Sequence, residues 1–175
     1  KLREDEHHIL DRAFALLADN ALEQPRVWVH RDYHSRNLMV TAPDNPGVLD
    51  FQDAVVGAVT YDLVSLLRDC YIAWPRERVE AWALTHRARL RALGMAGLED
   101  TGQFLRWFDL MGVQRHLKAT GIFARLNLRD GKPGYLHDIP RTLGYVLAVA
   151  GRYPELKALG DLLLAHRIDR WELAA

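Results

Sequence analysis

The segment of residues 27–51 constrains the fold more than any other part of the chain, because three short β-type runs alternate there with a polar loop and a turn. The runs cover residues 27–29, 38–40 and 48–51. Between the last two runs stands the sequence Pro-Asp-Asn-Pro-Gly at 43–47, which has the residue types that favour tight turns. The last two runs therefore predict a β-hairpin.

Most of the remaining chain has the apolar spacing of amphipathic helices. The predicted helices cover about residues 5–22, 61–72, 75–93, 103–128, 137–153 and 154–167. Thr60 or Asp62 is available to cap the second of them, and Gly94 ends the third. The pattern predicts an α+β fold that is mostly α, with a small β-hairpin set into the helical body.

Composition limits the possible partners. With 175 residues, 49% of them hydrophobic, the chain can bury one substantial core and is expected to form a single domain. Its 23 basic and 23 acidic residues cancel, so no overall positive field attracts nucleic acid or an anionic membrane. No apolar stretch of the sequence approaches the roughly 20 residues needed to cross a bilayer. We therefore expect a cytoplasmic protein without nucleic-acid or membrane partners.

The polar loop after the first β-type run carries the clearest chemical pattern. His30, Arg31 and Asp32 are followed by Asn37, five residues after the aspartate, as in the catalytic loop of kinases. Folding the predicted hairpin brings the region of Asp50 across from the region of Asn37. An isolated Asp or Asn near a turn is usually a cap or a solvated residue, but the combination in this context predicts phosphoryl transfer.

Each of these residue types fits one task in phosphoryl transfer. Asp32 can orient the acceptor hydroxyl and accept its proton. Asn37 and Asp50 offer hard oxygen ligands to one or two Mg²⁺ ions that bridge the phosphates of ATP. His30 is expected to hold the loop through hydrogen bonds. ATP and Mg²⁺ are therefore the expected cofactors.

The segment after Asp50 argues against a protein substrate. Ten residues separate Asp50 from the helix that is predicted to start at Tyr61, and no Ala-Pro-Glu sequence follows. An activation loop of the protein-kinase type does not fit into this interval. We therefore expect the phosphoryl acceptor to be a small molecule with a hydroxyl group.

Three motifs resemble the aminoglycoside phosphotransferase and choline kinase family. They are His30-x-Asp32-x-His34-x-x-Asn37, Leu49-Asp50-Phe51-x-Asp53 and Tyr61-Asp62-Leu63-Val64. The resemblance implies that residues 1–175 form the C-terminal lobe of a protein-kinase-like fold, which carries the catalytic and acceptor-binding groups. It also implies that Asp32 is the catalytic base and that Asn37 and Asp50 are Mg²⁺ ligands. Support of the catalytic loop is implied for His30, His34, Asp53 and Asp62. For Asp62, a helix N-cap is an equally good interpretation.

Longer stretches are similar to bacterial kinases that phosphorylate the anomeric hydroxyl of N-acetylmuramate and N-acetylglucosamine in cell-wall recycling. The stretches are HRDYHSRNLMV, GVLDFQDAV and VQRHLKATGIFARL. The last supplies Arg115, Lys118 and Arg125, whose charge is wrong for a polycationic aminoglycoside and suits a neutral or carboxylate-bearing sugar. We expect at least one of them to contact the sugar; solvated or helix-supporting charges are the alternative. An aminoglycoside or choline-type kinase and a non-catalytic kinase-like binding module are the alternative functions.

The residues before His30 lack the expected nucleotide-covering elements. Kinases of this type cover ATP with a glycine-rich strand and loop, and a strand lysine pairs with the phosphates. The 29 residues upstream of His30 instead have the pattern of one helix and one strand. We therefore expect the N-terminal lobe to be absent from this chain, and we expect the isolated chain to show little or no turnover.

Overall fold

The computed structural model describes residues 2–166, which are mostly α-helical with two small antiparallel sheets. The helices are α1 (Glu4–Leu22), α2 (Tyr61–Leu67), α3 (Arg76–Ala92), α4 (Thr101–Asp130), α5 (Ile139–Ala150) and α6 (Lys157–Ala165). The strands are β1 (Arg26–Val29), β2 (Leu38–Met39), β3 (Gly47–Val48) and β4 (Val55–Ala58). Short 3₁₀ turns cover Ser35–Asn37, Pro133–Asp138 and Pro154–Leu156. The expected mostly α fold with small β elements is confirmed. None of the helices in this part of the chain is long and apolar enough to cross a membrane.

The chain divides into two compact units, and helices α1 and α4 contribute residues to both. The first unit combines the residues up to Asp19 with those from Val113 onward, and the second unit comprises Asn20–Gly112. Strands β1 to β4 and the loop that carries His30 and Asn37 all belong to the second unit. The expectation of a single lobe stays a prediction.

Both sheets have two strands. Along the chain, β1 precedes the polar loop, and the other three strands follow it. The expected hairpin is confirmed, because β2 pairs with β3 in the register Leu38 to Val48. Strand β1 pairs with β4, a strand that the sequence pattern does not predict. Gly57 of β4 lies close to Val29, where an added Cβ would come 2.8 Å from the Val29 Cγ2 atom. Only glycine permits this close approach, and β4 thereby covers the buried Val29 at the end of β1.

The core of the second unit lies between β4, helices α2 and α3, and the first half of α4. The stripe expected on α4 is confirmed, since Phe104, Trp107, Phe108 and Met111 are all buried. Further members of this core are Ala58, Val59, Val64, Leu67, Val79, Ala83 and Leu98. Burial of large apolar side chains contributes about 1.5–3 kcal/mol each. The core therefore provides a rigid support for the loop that follows β1.

A buried carboxylate on α4 holds both ends of the segment between α2 and α3. Asp109 accepts hydrogen bonds from Arg68, directly after α2, and from Arg76, the first residue of α3. The side chains of Arg68 and Asp109 are only 5% and 2% exposed. Buried charges are tolerated when they are paired and hydrogen-bonded. Residues 69–75 are therefore anchored at both ends.

The first unit is stabilised mainly by α5 and α6. Buried residues recur at helical spacing on α5, and four residues of α6 are buried as well. An added Cβ at Gly160 of α6 would come 3.0 Å from the Cβ of Ala150 of α5, so the two helices approach closely at this point. On the same unit, His116 is buried and stacks on Tyr145 with 4.7 Å between the ring centroids.

Helix α2 starts at Tyr61 as expected, but its C-terminal end and its N-terminal cap differ from the prediction. It ends at Leu67 rather than at the expected residue 72, because Arg68 leaves the helical conformation (φ −121°, ψ 52°) on the way to Asp109. Thr60 occupies the N-cap position but makes no side-chain capping bond. Its hydroxyl instead donates to the buried Gln24 Oε1 at 2.7 Å. Contacts between distant residues override the local helical signals at both positions.

Replacing Asp109 by Ala should destabilise the protein strongly. The substitution removes the carboxylate that two guanidinium groups share, and one of them, on Arg68, is buried. Removal of one partner from a buried ion pair costs about 3–5 kcal/mol in the free energy of unfolding, which urea unfolding would measure. The matched control is Asp130→Ala, which breaks the exposed pair with Arg129 and should leave the urea midpoint unchanged. Equal shifts of the midpoint in the two variants would contradict this assignment.

Candidate active site

Asp62, the second residue of α2, binds the backbone of the catalytic loop, which we define as residues 30–37. Its Oδ2 atom accepts the N–H of His30 at 2.6 Å, and its Oδ1 atom accepts the N–H of Arg31 at 3.0 Å. Arg31 has a φ of 78°, in the left-handed region that costs a non-glycine residue about 1–3 kcal/mol. Two hydrogen bonds to a charged group can offset that cost. The loop is thereby fixed where it leaves β1.

The imidazole of His30 connects the start of the loop to the segment after β3. Its Nε2 atom lies 2.8 Å from the carbonyl oxygen of Leu49, and its Nδ1 atom lies 3.3 Å from the backbone nitrogen of Asp32. A carbonyl oxygen can only accept, so Nε2 carries the proton and Nδ1 accepts from the Asp32 N–H. His30 therefore links the catalytic loop to Leu49 through its two ring nitrogens, as the expected supporting role requires.

Asp32 and Asn37 are joined by a hydrogen bond across the loop. The Nδ2 atom of Asn37 donates to the backbone carbonyl of Asp32 at 3.0 Å, which leaves the Asn37 Oδ1 atom to accept or to bind a cation. The carbonyl of Asn37 accepts the N–H of Leu49 at 2.9 Å. The carboxylate of Asp32 is half-buried, and no residue between 2 and 166 bonds to it. Asp32 thus has a free carboxylate on a loop whose backbone is held on both sides.

Asp50 follows β3 and the Leu49 that bonds to Asn37. It is exposed and has a φ of 60°, the second left-handed non-glycine residue of the described chain. Its Oδ1 atom accepts from the Gln52 side chain at 2.6 Å, and Oδ2 accepts from no residue between 2 and 166. Asp53 contacts the loop through its backbone, since its carbonyl lies 3.4 Å from Arg31 Nη1. The structure therefore places Asp50 beside the Asn37 region, as the hairpin predicts.

The side chains of Asn37 and Asp50 carry hard oxygen atoms of the kind that Mg²⁺ prefers. Within residues 2–166, no three His, Cys, Asp or Glu side chains converge as a metal cluster. Mg²⁺ commonly uses only one or two carboxylate or amide ligands together with water and substrate phosphates. Asn37 and Asp50 provide such a pair of hard oxygens, and their role as ligands stays a prediction.

A second buried carboxylate, Asp69, supports the other end of the catalytic loop. Its Oδ2 atom accepts the N–H of Ser35, and its Oδ1 atom accepts the N–H of Tyr71, both at 2.9 Å. Tyr71 also packs edge-on against His34, with 5.6 Å between the ring centroids. Asp69 was not among the expected site residues, because it falls inside the helix predicted over 61–72. Only the early end of α2 leaves its carboxylate able to bind backbone N–H groups.

The catalytic loop lies in a part of the sequence that matches a known family. A model of the phosphotransferase enzyme family matches residues 1–108 of the chain. The chain belongs to this family. Curated proteins that are similar to it include three that are each named N-acetylmuramate/N-acetylglucosamine kinase. The protein from Pseudomonas putida is 54% identical over 152 residues, which are 87% of this chain and 44% of that protein.

The other two relatives give the same picture. The Pseudomonas aeruginosa protein is 53% identical over 148 residues, which are 85% of this chain and 44% of that protein. The Neisseria meningitidis protein is 53% identical over 143 residues, which are 82% of this chain and 42% of that protein. This phosphotransferase-family chain therefore spans less than half the length of the curated relatives that it matches.

The basic residues expected to contact the sugar lie on α4, in the part of the helix that belongs to the first unit. Arg115 is half-buried, whereas Lys118 and Arg125 are exposed. The catalytic loop belongs to the second unit. A contact of these three residues with the acceptor stays a prediction.

A cavity of about 430 Å³ adjoins the catalytic loop within the second unit. Asp62 and Tyr33 form the side next to the loop, and the remaining lining is Val27, Trp28, Val29, Val59, Leu63, Leu66, His86 and Leu90. Burial lowers the pKa of His86, and the positive charge of Arg89 lowers it further. Both effects favour the uncharged form of the imidazole in this wall of the cavity.

Replacing Asp62 by Ala should release the catalytic loop from α2. Each lost hydrogen bond to a charged group is worth about 1.5–3 kcal/mol, which corresponds to a roughly tenfold or greater increase in hydrogen exchange at the His30 and Arg31 amides. Exchange measured residue by residue by NMR would test this. Asp100→Ala is a matched control, because Asp100 also accepts two backbone N–H groups, from Gly102 and Gln103.

In the control, exchange should increase at Gly102 and Gln103 and stay unchanged in the loop. Unaltered protection of His30 and Arg31 in Asp62→Ala would show that the Asp62 contacts do not hold the loop.

Proposed function

We propose that this chain carries the catalytic centre of an ATP-dependent kinase that phosphorylates a hydroxyl of a small sugar. The observation that carries the proposal is the carboxylate of Asp32, which bonds to no described residue although the backbone around it is held by His30 and Asn37. Holding a free base in fixed position is the main protein task in phosphoryl transfer, where the chemistry depends on positioning and electrostatics.

In this proposal Asp32 orients the acceptor hydroxyl and takes its proton. Asn37 would contribute Oδ1 and Asp50 would contribute Oδ2 to Mg²⁺, and the hydrogen bonds of the two side chains leave both atoms available. Bound Mg²⁺ would neutralise charge on the phosphates of ATP. Asp62, His30 and Tyr71, whose ring packs against His34, hold the proposed base and the proposed ligands in one fixed geometry.

The segment between Asp50 and α2 supports a small acceptor. Its residues form a turn and then β4, which pairs along its whole length with β1. An activation loop that could present a protein substrate therefore has no place between the proposed metal ligand and α2. The short connection is therefore consistent with a small hydroxyl compound as the acceptor.

We further infer that the acceptor is N-acetylmuramate or N-acetylglucosamine, phosphorylated at the anomeric hydroxyl. The names of the three relatives support a sugar acceptor. The basic residues of α4 disfavour a polycationic aminoglycoside. Kanamycin and choline are the acceptors to test for the alternative functions.

We also propose that both units together form the catalytic and acceptor-binding C-terminal lobe of a kinase-like protein. The order of the elements supports this assignment: a strand, the catalytic loop, a hairpin with the metal ligand, and then helices. Kinases of this type hold ATP between two lobes, so activity has to be measured on the full-length protein. The expected cytoplasmic location stays a prediction.

Asp32→Asn in the full-length protein should lower kcat with N-acetylglucosamine by about 10²–10⁴-fold, because the amide cannot accept the hydroxyl proton. Coupled measurement of ADP release, with mass spectrometry of the sugar phosphate, gives the rate and the product. Asp44→Asn, on the exposed hairpin turn, removes the same charge away from the loop and should leave kcat unchanged. A wild-type protein that phosphorylates neither sugar, or an Asp32→Asn variant at the wild-type rate, would refute the proposal.

Asp50→Asn should raise the Mg²⁺ concentration needed for half-maximal activity by about 10- to 100-fold, because it weakens a proposed metal ligand. A Mg²⁺ titration at saturating ATP and sugar measures this shift. Gln52→Ala removes only the hydrogen bond to the Asp50 carboxylate and should change the Mg²⁺ requirement much less. If both variants shifted the titration equally, Asp50 would not be a ligand.

A further inference from the structure

Arg36 stands out among the charged residues of the catalytic loop because its guanidinium lies on an aromatic ring. The guanidinium carbon lies 3.5 Å from the ring centroid of Tyr71. The side chain is exposed, and no carboxylate within residues 2–166 pairs with it. Stacking fixes the plane of a guanidinium while its N–H edges stay free to donate. Arg36 is thus an oriented cation that has no anionic partner in the described part of the chain.

The ring beneath Arg36 is held firmly in place. The backbone of Tyr71 donates to the buried Asp69, which also accepts from Ser35 in the catalytic loop. The edge of the same ring packs against His34. Residues 69–75 are anchored at both ends by Asp109, as described above. A guanidinium placed on this ring loses little further entropy when it binds a ligand.

The residues next to Arg36 indicate whether it binds the nucleotide or the acceptor. Asn37 bonds to Leu49, next to Asp50, so the proposed metal ligands and the nucleotide phosphates belong to that side of the loop. Arg36 instead lies over Tyr71, in the segment between α2 and α3. The inference therefore assigns the acceptor to the side of the loop where Arg36 stacks on Tyr71.

We propose that Arg36 binds a carboxylate on the acceptor and makes this phosphotransferase selective for acidic over neutral sugars. The inference rests on the proposed sugar-kinase function and adds a specificity residue to it. A guanidinium donates two parallel hydrogen bonds to a carboxylate, whereas a neutral sugar offers no matching anion. N-acetylmuramate carries a lactyl carboxylate and N-acetylglucosamine does not, so this pair of sugars isolates the interaction.

The test compares both sugars in full-length Arg36→Gln protein. The value of kcat/KM for N-acetylmuramate should fall about 10- to 100-fold more than the value for N-acetylglucosamine, mainly through KM. Arg36→Lys should give an intermediate loss, because it keeps the charge without the planar fork. Tyr71→Leu should lower the preference for N-acetylmuramate in the same direction, because it removes the stacking surface.

Arg91→Gln on the exposed surface of α3 is the matched control and should alter neither sugar. Equal losses for both sugars, or a raised KM for ATP, would assign Arg36 to the phosphates and overturn the inference. Unchanged kinetics for N-acetylmuramate would overturn it as well.

Equilibrium binding of each sugar by calorimetry separates this inference from the proposed function. If the wild-type protein phosphorylated neither sugar, the proposed function would fail. The inference would still be supported if N-acetylmuramate bound to the wild-type protein and not to Arg36→Gln. It would be overturned if the two sugars bound equally, or if N-acetylmuramate did not bind.

Discussion

The catalytic loop depends on the carboxylate of Asp62, because its two oxygens accept the N–H groups of His30 and Arg31 where the chain leaves β1. Without an acceptor there, the left-handed conformation of Arg31 would be costly and those donors would lack partners. The position of Asp32 follows from this anchor, since the imidazole of His30 then binds the Asp32 backbone. A helix of seven residues thus sets the geometry of the proposed base.

Two further carboxylates, both of them buried, hold the chain farther from the proposed base. Asp69 joins the end of the loop to the segment between α2 and α3, and Asp109 holds both ends of that segment. Each accepts two hydrogen bonds, so the buried negative charge is compensated in place. The loop and its flanking segment are therefore held together by buried hydrogen bonds, and within residues 2–166 the charged groups of Asp32 and Arg36 on this loop form no ion pair.

Local sequence patterns predicted much of this molecule and missed what distant residues impose. The hairpin followed from the turn residues 43–47, and the α4 stripe followed from its apolar spacing. The early end of α2 did not, because Arg68 leaves the helix for Asp109, 41 residues away in sequence. Strand β4 is short and half exposed, so its pairing with β1 has no strong local signal. In the active site, the motif predicted Asp32, Asn37 and Asp50 as a group, whereas Asp69 emerged only from its contacts.

A crystal structure of the full-length protein with Mg²⁺, a non-hydrolysable ATP analogue and the sugar acceptor would test most directly whether Asp32 is the base and whether Asn37 and Asp50 bind Mg²⁺. We expect metal distances of about 2.0–2.1 Å to Asn37 Oδ1 and to an Asp50 oxygen. It also predicts the anomeric hydroxyl within about 2.6–3.2 Å of the Asp32 carboxylate. A metal bound by other residues, or an acceptor hydroxyl beyond hydrogen-bonding reach of Asp32, would contradict it.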